Sequence, residues 1–224
     1  MEPGVTVKYF GHACFLVTDA VGKSIAIDPF DARVGYPVPK LSANVCLVTH
    51  GHFDHSNTAA VSGNPQIVKT AGQIEARGIP IVGVTAPHHA PGKNAERGDV
   101  VMFRWTMDGM NLAHLGDLGA PLTPEQVQAL SPADVLMVPV GGFFTIDAAQ
   151  AAQVVQALKA RIVLPMHYKT AATLDLPIAP VAHFLAAVPT DWAVTGTDEN
   201  SITITQAELE KPGTPTRVVV LNYK

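Results

Sequence analysis

Cysteine is scarce in this sequence, which has only Cys14 and Cys46 among its 224 residues. Both lie in apolar runs typical of strands, where a free thiol behaves as a small buried hydrophobic group. We therefore expect no disulfide framework. Because 47% of the residues are hydrophobic, the chain can bury a substantial core, and we expect a single domain over residues 1–224.

Charged residues are also few, at 15% of the chain, and the net charge of −4 comes without any run of lysine or arginine. This argues against nucleic acid as a partner. No run of about eighteen apolar residues occurs, which argues against a membrane partner. The start, Met1-Glu2-Pro3-Gly4, lacks the basic and apolar parts of a secretory signal. We expect a cytoplasmic protein, and leave open whether it forms a homo-oligomer.

Strand-like and helix-like patterns succeed one another along the chain. The second half alternates strands with helices that begin near Thr123 and Asp147. In the first half, short apolar runs predict strands at 5–10, 14–17, 24–27 and 44–48. A β-rich half followed by such alternation predicts a layered α/β sandwich.

The segment His50-Gly51-His52-Phe53-Asp54-His55 directly follows one predicted strand. Alternate residues of an extended segment project to the same side, so His50 and His52 can bind one metal ion together. Asp54 and His55 follow where the chain turns, within reach of a second ion. Imidazole and carboxylate suit zinc, manganese or iron. The segment therefore predicts a metal site.

Further candidate ligands occur where other predicted strands end. His88-His89 follows the strand predicted at 79–84, Asp117 follows a hairpin, and His167 follows the strand at 161–166. Four ligands on one loop would leave two metal ions under-coordinated, so we expect these positions to contribute.

These motifs together resemble the metallo-β-lactamase superfamily, whose signature loop is HxHxDH. The likeness runs from Val5 to Thr170 and implies a four-layered αββα sandwich. The sequence is similar in particular to a prokaryotic branch of metal-dependent hydrolases related to the ascorbate-6-phosphate lactonases. The segments that carry this likeness are Phe10-Gly11-His12-Ala13-Cys14-Phe15, Ile27-Asp28-Pro29-Phe30, Thr49 to His55, His114 to Gly119, Pro139 to Gly142 and Pro165 to Thr170.

The resemblance implies a dinuclear site for two divalent ions, with zinc expected first and manganese or iron as alternatives. The implied ligands are His50, His52 and His88 for one ion, Asp54, His55 and His167 for the other, and Asp117 between them. The segment Arg97-Gly98-Asp99-Val100 departs from the Arg-Gly-Lys-Asn that is usual in the branch. That departure leaves His89 as an alternative to His88.

Such a site predicts a hydrolase in which a metal-bridged hydroxide attacks an ester, lactone or phosphoester in a small molecule. Asp54 is the expected catalytic residue, orienting the nucleophile or receiving its proton.

Other residues are predicted to support the site. His12, Asp28 and His114 are expected behind the ligands, orienting them, with a purely backbone-bonded role as an equal alternative for His114. The backbone amides of Gly141 and Gly142 and the hydroxyl of Thr145 are predicted to contact an anionic substrate. A plain strand-to-helix turn is the equal alternative for these last residues.

Two other function classes remain open from the sequence. One is a di-iron redox enzyme on the same fold, which would normally need a flavin partner or a sulfur substrate, and we expect no fused flavin domain from this sequence. The other is a non-catalytic metal-binding protein, which the complete set of ligand positions disfavours. A nuclease would be a variant of the hydrolase, and the absence of basic segments argues against it.

Overall fold

The computed structural model describes residues 4–89, 97–209, 211 and 213–224. The strands are β1 (Gly4–Tyr9), β2 (Phe15–Thr18), β3 (Ser24–Ile27), β4 (Leu41–Ser42), β5 (Val45–Leu47), β6 (Val61–Ser62), β7 (Gln66–Val68), β8 (Gly72–Ala76), β9 (Ile79–Pro87), β10 (Asp99–Met107), β11 (Met110–His114), β12 (Val135–Pro139), β13 (Ile162–Met166), β14 (Ala193–Gly196), β15 (Ser201–Thr205) and β16 (Arg217–Val220). The helices are α1 (Pro124–Leu130), α2 (Ala148–Ala157), α3 (Val181–Ala187) and α4 (Gln206–Leu209), with 3-10 turns at Ala32–Val34 and Thr58–Ala60.

Two sheets form the body of the molecule. The first has strand order β15-β1-β2-β3-β5-β7, and the second has order β14-β16-β13-β12-β11-β10-β9-β8. Their facing sides bury one apolar cluster, in which alternate residues of β1, β2 and β3 pack against residues of β10 to β13. The α/β sandwich predicted from the sequence is confirmed.

The outer faces of the two sheets are covered differently. Helices α1, α2 and α3 bury apolar residues against the second sheet. The first sheet is covered by residues that include Phe30, Tyr36 and Leu41. Within the described residues this outer layer contains the two 3-10 turns and the small β4-β6 sheet. It also buries Cys14 and Cys46 as free thiols, as expected without a disulfide framework.

The helix starts follow the sequence signals closely. Thr123 caps α1 and Asp147 caps α2, and each forms a capping box with the glutamine three residues later, Gln126 or Gln150. The helix predicted to begin near Asp147 is α2, which ends at Ala157. Among the described residues, none of the helices has the length and apolar character that a membrane crossing requires.

Strand direction determines where the polar residues meet. β1 and β3 are both antiparallel to β2, and β3 is parallel to β5, so these three strands run the same way. In the second sheet β9 and β11 are both antiparallel to β10, and β11 to β13 are parallel. Each of these sets therefore delivers its following loops to one edge of its sheet.

Candidate metal centre

Six strand ends converge on a cluster of histidine and aspartate side chains. From the first sheet, His12 follows β1, Asp28 follows β3, and the segment from His50 to His55 follows β5. From the second sheet, the residues are His88 directly after β9, Asp117 after β11 and His167 directly after β13. The site thus lies where the two sheets meet at one end of the sandwich.

Asp117 is the central group of the cluster and is buried. Its Oδ2 lies 3.3 Å from His167 Nε2, 3.5 Å from His88 Nε2 and 4.0 Å from His50 Nε2. Its Oδ1 lies 3.3 Å from His55 Nε2. A single carboxylate therefore faces four imidazole rings, three of them through Oδ2 and one through Oδ1.

The remaining distances divide the cluster into overlapping groups. In each group the potential ligand atoms lie within 4.8 Å of one another: His50, His52 and His88; His12, Asp54, His55 and His167; and His50, His55 and Asp117. The third group overlaps the other two. Each group offers at least three donor atoms close enough together to bind a metal ion.

Two further observations indicate that the nitrogen and oxygen atoms of the cluster suit metal ions. His52 Nδ1 and His88 Nε2 lie 3.2 Å apart, close to the roughly 3.4 Å between two nitrogens on one tetrahedral zinc. His50 Nε2, His55 Nε2 and Asp117 Oδ1 are buried and lack a hydrogen-bond partner among the described residues. Such atoms are costly unless something else, here a cation, binds them.

Asp28 sets the orientation of two of these histidines from behind. Its Oδ2 accepts a hydrogen bond from His55 Nδ1 at 2.8 Å, which leaves His55 Nε2 free to face Asp117. The same oxygen accepts the Thr49 hydroxyl at 2.7 Å, so Thr49 Oγ1 is left to accept from His50 Nδ1 at 3.0 Å. One buried carboxylate thereby directs the Nε2 atoms of both rings into the site.

Burial and charge prepare these groups as ligands. Burial lowers the pKa of His50 to about 3 and that of His12 to about 4, so both rings are neutral at pH 7. Burial alone would raise the pKa of Asp117, but His167 and His55 hold it well below its usual range. Burial opposes protonation of His55, yet Asp117 and Asp28 raise its pKa well above normal. A metal ion binding there has to displace that proton.

The fold and this cluster match known proteins. A family profile described as beta-lactamase superfamily domain matches residues 6–167. The chain belongs to the metallo-β-lactamase superfamily. UPF0173 metal-dependent hydrolases of Thermococcus onnurineus and Pyrococcus abyssi are 32% and 33% identical to it, each over 74% of this chain and 85% of the relative. A solved structure from Thermotoga maritima, described as a candidate zinc-dependent hydrolase of the superfamily, has 34% identity and a TM-score of 0.77 over 97% of this chain and 98% of that one.

This superfamily member is therefore an enzyme of the metal-dependent hydrolase group. Its structure brings together all seven ligand positions inferred from the sequence. Of the two candidates at 88 and 89, His88 is fully buried and faces His52 and Asp117. His89 belongs to none of the ligand groups found among the described residues.

The supporting histidines take different places in this metallo-β-lactamase fold. His12 Nε2 lies 3.1 Å from Asp54 Oδ2, within hydrogen-bond distance of this carboxylate, and His12 also belongs to the group of donor atoms around Asp54. His114 uses both ring nitrogens on the backbone: Nε2 donates to the carbonyl of Ala13 at 2.9 Å, and Nδ1 accepts the amide of Gly116 at 3.1 Å. His114 therefore positions the loop that carries Asp117.

The predicted substrate-side residues lie beside the cavity rather than along its wall. A cavity of about 1130 Å³ opens above the cluster, and Gly141, Gly142 and Thr145 are not among its lining residues. The Gly142 amide and the Thr145 hydroxyl both donate to the carbonyl of Ile146. Gly141 packs so closely against the His167 carbonyl that a Cβ would lie 2.1 Å from that oxygen.

Several residues that the fold places at the site give no recognisable signal in the sequence. Thr49 orients His50, and nothing in the sequence distinguishes it except its position next to the metal-binding loop. The cavity is lined in addition by Arg33, Phe53, Arg97, Phe143, Phe144 and Leu176. These come from separate loops, so no local motif joins them.

We expect Asp28→Asn to weaken zinc binding by about 10- to 100-fold, the usual effect of removing a partner that orients a metal ligand. An asparagine can still accept from His55 or Thr49, but it lacks the charge that favours both hydrogen bonds. Competition with a chromophoric chelator measures the affinity.

Asp134→Asn is the matched control, because Asp134 is a half-buried, hydrogen-bonded carboxylate that precedes β12, at the opposite end of that strand from the site. Equal affinities in wild type and the Asp28 variant would contradict the role of Asp28.

Proposed function

We propose that this enzyme hydrolyses an ester, lactone or phosphoester bond in a small molecule, using two divalent metal ions. The observation that carries the proposal is the meeting of two ligand groups at the buried carboxylate of Asp117, directly beneath a cavity. The proposed ligands are His50, His52 and His88 for one ion, Asp54, His55 and His167 for the other, and Asp117 for both.

When bound, such ions polarise the oxygen of the bond to be cleaved and lower the pKa of a coordinated water. Zinc is the first choice, since histidine-rich sites with one or two carboxylates are typical of it. Manganese and iron accept the same donor types.

Asp54 is the proposed catalytic residue because, of the two carboxylates among the proposed ligands, it is the more accessible. Its side chain is 20% exposed, against 3% for Asp117, and it lines the cavity. Burial alone would raise its pKa, but the hydrogen bond with His12 and the charge of His55 lower it. Asp54 is therefore ionised at neutral pH and ready to orient a nucleophile and to accept a proton at a carboxylate oxygen.

The cavity fits a small molecule better than a polymer. Its volume of about 1130 Å³ is slightly above the roughly 300–1,000 Å³ that is typical of small-molecule sites. Aromatic side chains and two arginines line it together with residues of the cluster, among them Asp54 and Asp117. A substrate would thus contact the aromatic and arginine side chains while its reacting bond lies close to Asp117 and Asp54.

The test is a panel of chromogenic phosphodiesters, lactones and thioesters, assayed with protein loaded separately with zinc, manganese and iron(II). We expect turnover of at least one ester class, with about two metal ions per chain in the active form. Asp134→Asn protein should match wild type. No turnover of any substrate with any metal would remove the support for hydrolysis, and visible absorbance that changes with oxidation state would favour redox chemistry.

A further inference from the structure

Two arginine–phenylalanine pairs line the cavity above the cluster. The guanidinium carbon of Arg33 lies 4.3 Å from the centre of the Phe53 ring, and that of Arg97 lies 4.3 Å from the centre of the Phe144 ring. All four residues line the cavity. Each arginine is thus held against an aromatic face by a cation–π contact, which fixes its position at the cavity wall.

The two arginines differ in how their charge is balanced. Arg33 Nε lies 3.1 Å and 2.9 Å from the two carboxylate oxygens of Asp31. Within the described part of the chain, the arginines that pair with carboxylates are Arg33 and Arg217, and Arg97 is not among them. Among the described residues, Arg97 therefore brings to the cavity wall a positive charge that no carboxylate balances.

Apolar surface adjoins this charge. Phe143 is 68% exposed and Phe53 is 42% exposed, although both are large apolar side chains. Phe143 also has a φ of 59°, a left-handed backbone conformation that is costly for an aromatic residue. Its ring lies edge-on to Phe144, with centres 4.7 Å apart. The Phe143–Phe144 pair presents an apolar wall beside Arg97.

We propose that the substrate is an amphipathic anion, an inference that rests on the hydrolase function proposed above. Its acidic group, a carboxylate or a phosphate, accepts hydrogen bonds from Arg97. Its aromatic or branched apolar group packs against Phe143 and Phe144. The bond to be cleaved then lies over the cluster, because the same cavity has Asp54 and Asp117 among its lining residues.

The test compares the binding of two ligands of equal shape, 4-phenylbutyrate and 4-phenylbutanamide, by calorimetry on the zinc-loaded protein. We expect wild type to prefer the carboxylate. Arg97→Met should weaken carboxylate binding by about 10- to 100-fold, because hydrogen bonds to a charged group are lost. Binding of the amide should change by no more than about twofold. Arg97→Lys should keep part of the preference, since the charge remains but the planar fork is lost.

Two matched variants separate Arg97 from general effects of charge. Arg33→Met should change the carboxylate preference little, because Asp31 already balances Arg33. Arg161→Met should change nothing, because Arg161 precedes β13 and lies at the opposite end of that strand from His167. Phe143→Ala should weaken the binding of both ligands by the same factor. If Arg97→Met kept the carboxylate preference, the anion would be assigned to the metal ions and the proposal would be overturned. Equal losses of affinity for the carboxylate and the amide in Arg97→Met would also overturn it.

Binding and turnover fail independently in this design. Charge-dependent binding through Arg97 without hydrolysis of any panel substrate would contradict the hydrolase proposal and leave the ligand class standing. Hydrolysis that shows no preference for anionic apolar esters, in wild type and in Arg97→Met, would contradict the ligand class and leave the hydrolase proposal standing.

Discussion

Asp117→Asn is expected to lower turnover by roughly 10³-fold or more, since the loss of even one electrostatic contact to a transition state costs about 10²- to 10³-fold. The substitution keeps the size of the side chain and removes only the charge. That charge lies 3.3–4.0 Å from four imidazole nitrogens. Without it, no carboxylate joins the two ligand groups, and we expect metal content to fall from about two ions per chain to one or fewer.

Metal analysis after gel filtration, together with the assay, tests this expectation. Asp134→Asn again controls for the removal of a hydrogen-bonded carboxylate elsewhere in the second sheet. An Asp117→Asn protein that retains both ions at wild-type affinity would show that Asp117 does not link the sites.

Asp54→Asn is expected to lower kcat by about 10²- to 10⁴-fold, the range typical of losing a general acid or base. KM should change much less, because the cavity walls that hold the substrate are unaffected. The reason for expecting a loss of rate more than of metal is geometric. Asp54 reaches the cavity, and His55, His167 and His12 remain around the same position.

The experiment therefore measures metal content alongside kcat and KM. Asp31→Asn is the control, since Asp31 is a carboxylate beside the cavity that pairs with Arg33, and its loss should cost no more than about fivefold. If the Asp54 variant lost metal in the same proportion as activity, Asp54 would act as a ligand alone, and its proposed catalytic role would be contradicted.

The parts of the site that could be predicted from sequence are those encoded locally. His50, His52, Asp54 and His55 lie within six residues, so their proximity needs no tertiary information. His88, Asp117 and His167 were recognisable because each follows an apolar strand, and parallel strands bring such positions together. The superfamily resemblance then supplied their grouping.

The parts that could not be predicted depend on contacts between distant segments. Thr49 matters only because the fold places the carboxylate of Asp28 beside it. Arg33 and Arg97 look like ordinary surface residues until the loops place them on one cavity. Likewise His12 enters the Asp54 group through a turn at which its φ is 54°, a conformation that its sequence neighbours do not dictate.

The fold shows the same division. β1, β3 and β5 were predicted to within one or two residues because they alternate or are continuously apolar. β14 and β16 were not predicted. β14 is exposed along its whole length and gives no apolar pattern. β16 is only four residues long and lies between β13 and β14 through parallel pairing, which sequence periodicity does not reveal.

The division of the ligands between the two sheets has a further consequence. Among the described residues, the hydrogen bonds that already join the sheets at this edge include Val101 N to the Thr49 carbonyl, His167 N to the His12 carbonyl, and His114 Nε2 to the Ala13 carbonyl. A metal ion bound to Asp117 and to the His50–His55 loop would add a bond that opens only when the sheets separate. In a protein whose two cysteines remain free, the metal centre would thus act as a reversible cross-link, and the ion would favour the closed sandwich over the unfolded chain in proportion to its affinity.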